Sequence, residues 1–123
     1  MGQVGDAYRG VRERMTALAE GADPDAPVPG CPEWTVKELL AHVTGVISDI
    51  LEGRLEGVAT DPWTEAQVSA RRATPLPDIL GEWAEKAPAV EPMIDDFGAA
   101  GRQLVFDAVT HEHDLRGALD QPG

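Results

Sequence analysis

Apolar side chains return every three or four positions in four separate stretches of this 123-residue chain, and no stretch alternates apolar with polar residues over the length of a strand. That pattern confines the fold to packed helices. Val4, Ala7, Tyr8, Val11, Met15 and Leu18 mark the first apolar face and predict a helix from Val4 to Leu18, ended by Gly21. Pro24, Pro27, Pro29 and Pro32 exclude a regular element between Ala22 and Pro32 and leave an extended connection.

Thr35 and Glu38 have the spacing of a capping box, in which each side chain satisfies a free backbone amide of the other residue, so a second helix is expected to open there. Its stripe is Val36, Leu39, Leu40, Val43, Ile47, Ile50 and Leu51, with Gly53 or Gly57 as the stop. Val58 to Trp63 reads as loop, and Thr64 with Gln67 repeats the capping-box spacing ahead of a short helical segment ending near Arg72. Pro77 suits the first position of a third helix, since its missing N–H would have had no partner there. Leu80, Trp83, Ala84, Ala87 and Val90 continue that helix toward Ile94, while Pro88 and Pro92 inside it predict a kink or a split. Leu104, Val105, Ala108, Leu115, Ala118 and Leu119 mark a fourth helix from Arg102 to Leu119. The expected architecture is an all-α four-helix bundle with long first and second connections, one domain over residues 1–123.

Charge narrows the partners. With 22 acidic and 10 basic side chains the formal net charge is −12, which repels phosphate backbones and anionic lipid and excludes nucleic acid and membrane as partners. Cys31 has no second cysteine to pair with, which points to a reducing, cytoplasmic compartment. No window approaches 18 apolar residues, and Met1 to Arg14 carries no apolar signal core, so neither export nor insertion is expected.

Two of the three histidines lie in apolar helical runs. At about 100° per residue, His42 falls to one side of the second helix's stripe, where it can reach between helices. In the last helix Asp107, His111, Asp114 and Ala118 follow one another at spacings of four, three and four, a polar line along the edge of the apolar face. Asp107 and His111, one turn apart, can both touch a divalent metal at about 2.0–2.2 Å, with His42 as third ligand and one position left open. The plainer alternatives are a surface hydrogen bond between Asp107 and His111, or a buried hydrogen-bonded network joining them to His42. Asp114 reads as a support that orients His111 or as an ordinary helix-face carboxylate, and His113 as exposed. Cys31, between Gly30 and Pro32 with no histidine nearby in sequence, reads as a structural thiol; Trp34 reads as an anchor for the start of the second helix.

The segment Val28-Pro29-Gly30-Cys31-Pro32-Glu33-Trp34-Thr35-Val36-Lys37-Glu38-Leu39-Leu40-Ala41-His42, followed by Asp107-Ala108-Val109-Thr110-His111-Glu112-His113-Asp114-Leu115, resembles the N-terminal domain of the mycothiol-dependent maleylpyruvate isomerase family, a branch of the DinB-like metal-dependent bundles. The resemblance covers nearly the whole chain. It implies a divalent metal, usually zinc, with nickel or another ion as alternatives, on His42, Asp107 and His111, and mycothiol or another low-molecular-weight thiol as cosubstrate for an electrophilic small molecule. Asp107 stands where the isomerase has a glutamate, one methylene longer. The isomerase also has a C-terminal domain, whereas this sequence stops at Asp120-Gln121-Pro122-Gly123, so a stand-alone bundle or a piece of a larger chain is expected. The function implied is that of a thiol-dependent transferase or isomerase; the competing reading is a non-catalytic metal-binding bundle, a dimeric stress or interaction protein.

Overall fold

A computed structural model describes residues 2–56 and 60–119 and contains the expected all-α architecture. Four long helices, α1 (Gln3–Ala19), α2 (Val36–Glu52), α4 (Leu76–Ile94) and α5 (Ala99–Leu119), are joined by a short helix α3 (Asp61–Ala70) and a single 3-10 turn (Asp95–Phe97). α2 packs on α4, and α1 on both α4 and α5. No helix among the described residues is long and apolar enough to cross a membrane.

The start of α2 follows from its sequence. The Thr35 side chain accepts from the Glu38 amide while the Glu38 side chain accepts from the Thr35 amide, completing the capping box. Gly53, at φ 76°, ends the helix in the left-handed conformation; the alternative stop, Gly57, lies outside the described residues.

The second connection needs correction. Thr60, not Thr64, caps α3, so Asp61 to Trp63 are helical where a loop was expected; Val58 and Ala59 are outside the described residues. Gln67 is thereby freed from any capping role and turns inward, 2% exposed. α4 is also simpler than expected, one continuous helix through Pro88 and Pro92. Each proline removes a hydrogen bond to the carbonyl four residues earlier, on Ala84 and Pro88, and Ala84, Pro88 and Pro92 are all exposed. Water can satisfy those carbonyls, so the helix continues. Ala84 consequently does not belong to the buried stripe. α5 begins at Ala99, three residues before the expected start, directly after Gly98.

The core is made of Tyr8, Met15, Leu39, Leu40, Ile47, Trp83 and their neighbours, with the Trp83 indole N–H donating to the Tyr8 hydroxyl at 3.0 Å. Three carboxylates lock α1 into this core. Asp95 accepts from the amides of Val4 and Gly5 at 2.9 and 3.0 Å, capping a helix whose own N-cap, Gly2, has no side chain to offer. Glu91, fully buried on α4, binds Arg12 at 2.7 Å and Arg9 at 3.2 Å. Glu112 on α5 binds Arg14 at 2.9 Å.

Glu91→Ala should lower stability by on the order of 3 kcal/mol, because it takes from the largely buried Arg12 the carboxylate it pairs with; urea denaturation of the two proteins measures it. Replacement of the more exposed Glu65, which pairs with Arg72 at the surface, should cost under about 1 kcal/mol.

Candidate metal centre

Trp34, His42 and His111 form one aromatic cluster. The imidazoles meet edge to face with ring centroids 5.1 Å apart, and the Trp34 indole lies 5.1 Å from His42 and 6.0 Å from His111. The connection before α2 places Trp34 there. An antiparallel bridge pairs Pro27 with Thr35, and hydrogen bonds from Val28 N to Trp34 O and from Val36 N to Ala26 O fold the proline-rich segment back on itself, with Val28 buried at its centre. The indole therefore covers the histidines as well as anchoring the helix start.

His42 is oriented by a chain of hydrogen bonds that begins at a buried acid. Asp49 Oδ2 accepts from Gln67 Nε2 at 2.9 Å, so the amide oxygen of Gln67 must face the other way, where it lies 2.8 Å from His42 Nδ1. An amide oxygen only accepts, which puts the imidazole proton on Nδ1 and leaves Nε2 with a bare lone pair. Arg54 holds the far oxygen of Asp49 at 2.9 Å. α3 can approach this closely because residue 45 is glycine; a Cβ there would meet the Gln67 side chain at 2.5 Å.

Burial pushes His42 down to about 4, with the neighbouring His111 acting in the same direction and the Gln67 bond and Asp107 charge opposing. His111 is lowered by the same cause, against the pull of Asp114 and Asp107. Both imidazoles are neutral at pH 7, the form that binds a metal.

Asp107 is exposed, accepts from Gln103 at 2.9 Å, and lines the same cavity as His42 and His111. That cavity has a volume of about 620 Å³; Val43, Val46 and Ile50 of α2, Trp63 of α3, and Leu104 and Ala108 of α5 supply much of its wall. Asp114 lies beside His111, its Oδ2 3.6 Å from Nδ1, too long for a hydrogen bond, and His111 Nδ1 is buried without a partner.

Cys31 completes a second grouping that sequence reasoning did not find. Its thiol donates to Asp114 Oδ2 at 3.3 Å, and burial followed by the Asp114 contact pushes it up to about 11, so it is a neutral, unreactive thiol as it stands. Ligand atoms of Cys31, His111 and Asp114 all lie within 4.8 Å of one another, a group that could hold a metal ion. Gly30 permits it, since a Cβ at that position would collide with the Asp114 carboxylate. The donors present, two neutral imidazoles, two carboxylates and a thiol, are the types that zinc-like ions prefer, and the unpartnered His111 nitrogen is a buried polar atom that such an ion or a shifted carboxylate would satisfy.

His113 is exposed, and Arg116 binds Glu112 at 2.9 Å. Asp49 and Gln67 were also missed in the sequence. The signal for Asp49 was an acid standing between Ile47 and Ile50 in an apolar stripe; Gln67 was masked by the capping spacing after Thr64.

Two outcomes follow. Gln67→Leu removes the acceptor that fixes the His42 tautomer, and any zinc held by His42 should then bind about 10–100-fold more weakly, as measured by competition with a chromophoric chelator. In metal-free protein the unfolded chain takes up a proton at His42 near pH 6.5 whereas the folded chain resists until about 4. Stability is therefore full above 6.5 and lost as pH falls through that window, and urea midpoints should show a flatter fall in His42→Gln than in the parent.

No curated protein and no solved structure gives a significant match. The family model described as the mycothiol maleylpyruvate isomerase N-terminal domain matches residues 4–117, and so spans α1 through nearly all of α5. The chain belongs to that family, and its helices form the DinB-like bundle that carries the Cys31, His111 and Asp114 grouping beside the paired imidazoles.

Proposed function

We propose that this chain is a thiol-dependent transferase or isomerase in which His42, Asp107 and His111 hold a divalent cation, zinc by the nature of its donors, and mycothiol or another low-molecular-weight thiol reacts with an electrophilic small molecule. The observation that carries the reading is the pair of neutral imidazoles in edge contact on a cavity wall with Asp107, one of them with its Nε2 bared by Gln67. Two imidazoles and one carboxylate leave a divalent cation with a local charge of about +1, which lowers the pKa of a bound thiol and favours the thiolate at neutral pH.

The chain's own groups prepare that chemistry. Gln67 holds the His42 proton on Nδ1, so Nε2 needs no deprotonation before it donates. Asp114 lies 3.6 Å from His111 Nδ1, where a shift of under about 1 Å would let it accept that proton and orient the ring. Trp34 covers both rings and limits the water that competes with a thiol. The uncharged sugar head of mycothiol meets no repulsion from a protein of charge −12.

A second reading is favoured by the Cys31, His111 and Asp114 grouping. Its ligand atoms already lie close together, and His111 and Asp114 are only 16% and 18% exposed, an enclosed arrangement suited to a non-catalytic metal-binding protein.

Elemental analysis of zinc-loaded variants separates the two. For the catalytic site, His42→Ala and Asp107→Ala should each reduce bound zinc at least tenfold at limiting metal, while Cys31→Ser retains it. Cobalt-loaded protein should then show no thiolate-to-metal absorption band in the near ultraviolet. Such a band, abolished by Cys31→Ser, would transfer the metal to the second grouping. Consumption of thiol by an electrophile, lost in His42→Ala, tests the enzyme itself; zinc bound with no turnover of any low-molecular-weight thiol sinks it.

A further inference from the structure

Cys31 has no part in the chemistry proposed above, yet the fold holds it in one place. Its N–H donates to Val28 O at 3.0 Å and its carbonyl accepts from Trp34 N at 2.8 Å, so the backbone is fixed on both sides of the thiol. The thiol donates to Asp114 Oδ2 at 3.3 Å, and Gly30 leaves the room that Asp114 Oδ1 occupies. That same Oδ2 lies 3.6 Å from His111 Nδ1, the buried nitrogen with no partner.

One carboxylate oxygen can accept from two donors. A small shift of Asp114 brings Oδ2 within reach of an N–H on His111 Nδ1 while the Cys31 contact is kept. His111 then carries its proton on Nδ1 and a bare lone pair on Nε2, the state that Gln67 imposes on His42. An uncharged donor suits the position of Cys31, since a thiolate there would repel the carboxylate. Burial, followed by the Asp114 contact, pushes the thiol up to about 11, so it keeps its proton at neutral pH.

We propose that Cys31 is a positioning residue for the metal centre: its S–H holds Asp114 Oδ2 beside His111, and Asp114 in turn fixes the tautomer that leaves His111 Nε2 free for a divalent cation. The thiol keeps its proton throughout and is neither ligand nor nucleophile. The use made of Nε2 rests on the His42, Asp107 and His111 site proposed above, whereas the tautomer rests on the contacts of Cys31 and Asp114 alone.

Long-range proton–nitrogen correlation spectra of metal-free protein read the tautomer directly, with the His111 signals assigned by their loss in His111→Gln. His111 should carry its proton on Nδ1 in the parent and in Cys31→Ser, which keeps a donor, and should become a mixture of tautomers in Cys31→Ala. Competition with a chromophoric chelator should show zinc bound on the order of tenfold more weakly by Cys31→Ala, and within about threefold of the parent by Cys31→Ser. Asp114→Leu should weaken zinc at least as much, and adding Cys31→Ala to it should change nothing further, because the thiol acts through that carboxylate. Circular dichroism checks the fold of each variant, and Asp114→Leu makes the tautomer comparison from the acceptor's side.

An unchanged His111 tautomer in Cys31→Ala overturns the proposal. Additive losses of zinc in the double variant do the same, because Cys31 then acts through packing and not through Asp114. A thiolate-to-metal band in the cobalt-loaded parent also overturns it, since Cys31 is then a ligand. If the tautomer and zinc results hold but no electrophile consumes any low-molecular-weight thiol, the proposed enzyme fails and the role of Cys31 stands. If thiol is consumed and His42→Ala abolishes this, while Cys31→Ala keeps the parent's tautomer and zinc affinity, the enzyme stands and the role of Cys31 fails.

Discussion

The hydrogen bond from Gln67 to buried Asp49 decides the state of the site. A carboxylate can only accept, so it takes the amide N–H of Gln67 and turns the amide oxygen toward His42. The imidazole proton then has one place to go, and Nε2 is left with a bare lone pair facing away from Gln67. This arrangement depends on α3 lying tightly on α2, which Gly45 makes sterically feasible. A short helix in the second connection thus has a chemical consequence out of proportion to its length.

The rest of the bundle supplies rigidity around that relay. Asp95, Glu91 and Glu112 tie α1 to segments 79 to 98 residues further along the chain, so the α5 segment bearing Asp107, His111 and Asp114 is fixed from the α1 side while α2 fixes His42. Burial then makes both imidazoles neutral, and the proline-rich connection lays Trp34 across them and Cys31 against Asp114. His111 is the meeting point of two ligand groupings. It faces the cavity with His42 and Asp107, and its buried Nδ1 lies on the side of Asp114 and Cys31. The first grouping opens onto the cavity, and the second is enclosed beneath the proline-rich connection.

Helical periodicity made most of the bundle legible because core-facing positions repeat at the helix's own period. The capping box at Thr35 and Glu38 was legible for a similar reason, as its two hydrogen bonds are local. Errors arose where a local signal competed with a distant one. Thr64 and Gln67 have the right spacing for a cap, but Gln67 lowers its energy more by joining two buried polar groups, and Thr60 takes over the cap. Pro88 and Pro92 looked disruptive until both proved to lie on the solvent face, where the carbonyls they leave unpaired can bind water.

The sequence by itself determined that the chain is helical, that His42 and the Asp107, His111, Asp114 line lie at the edges of apolar stripes, and which family the chain resembles. Those features depend on periodicity and on residue order. Only tertiary structure decided that Cys31 meets Asp114 across 83 residues, that Gln67 sets the His42 tautomer, and that a largely apolar cavity opens beside them. These depend on the approach of segments remote in sequence, where close packing and the need to satisfy every buried polar group select partners that spacing along the chain does not reveal.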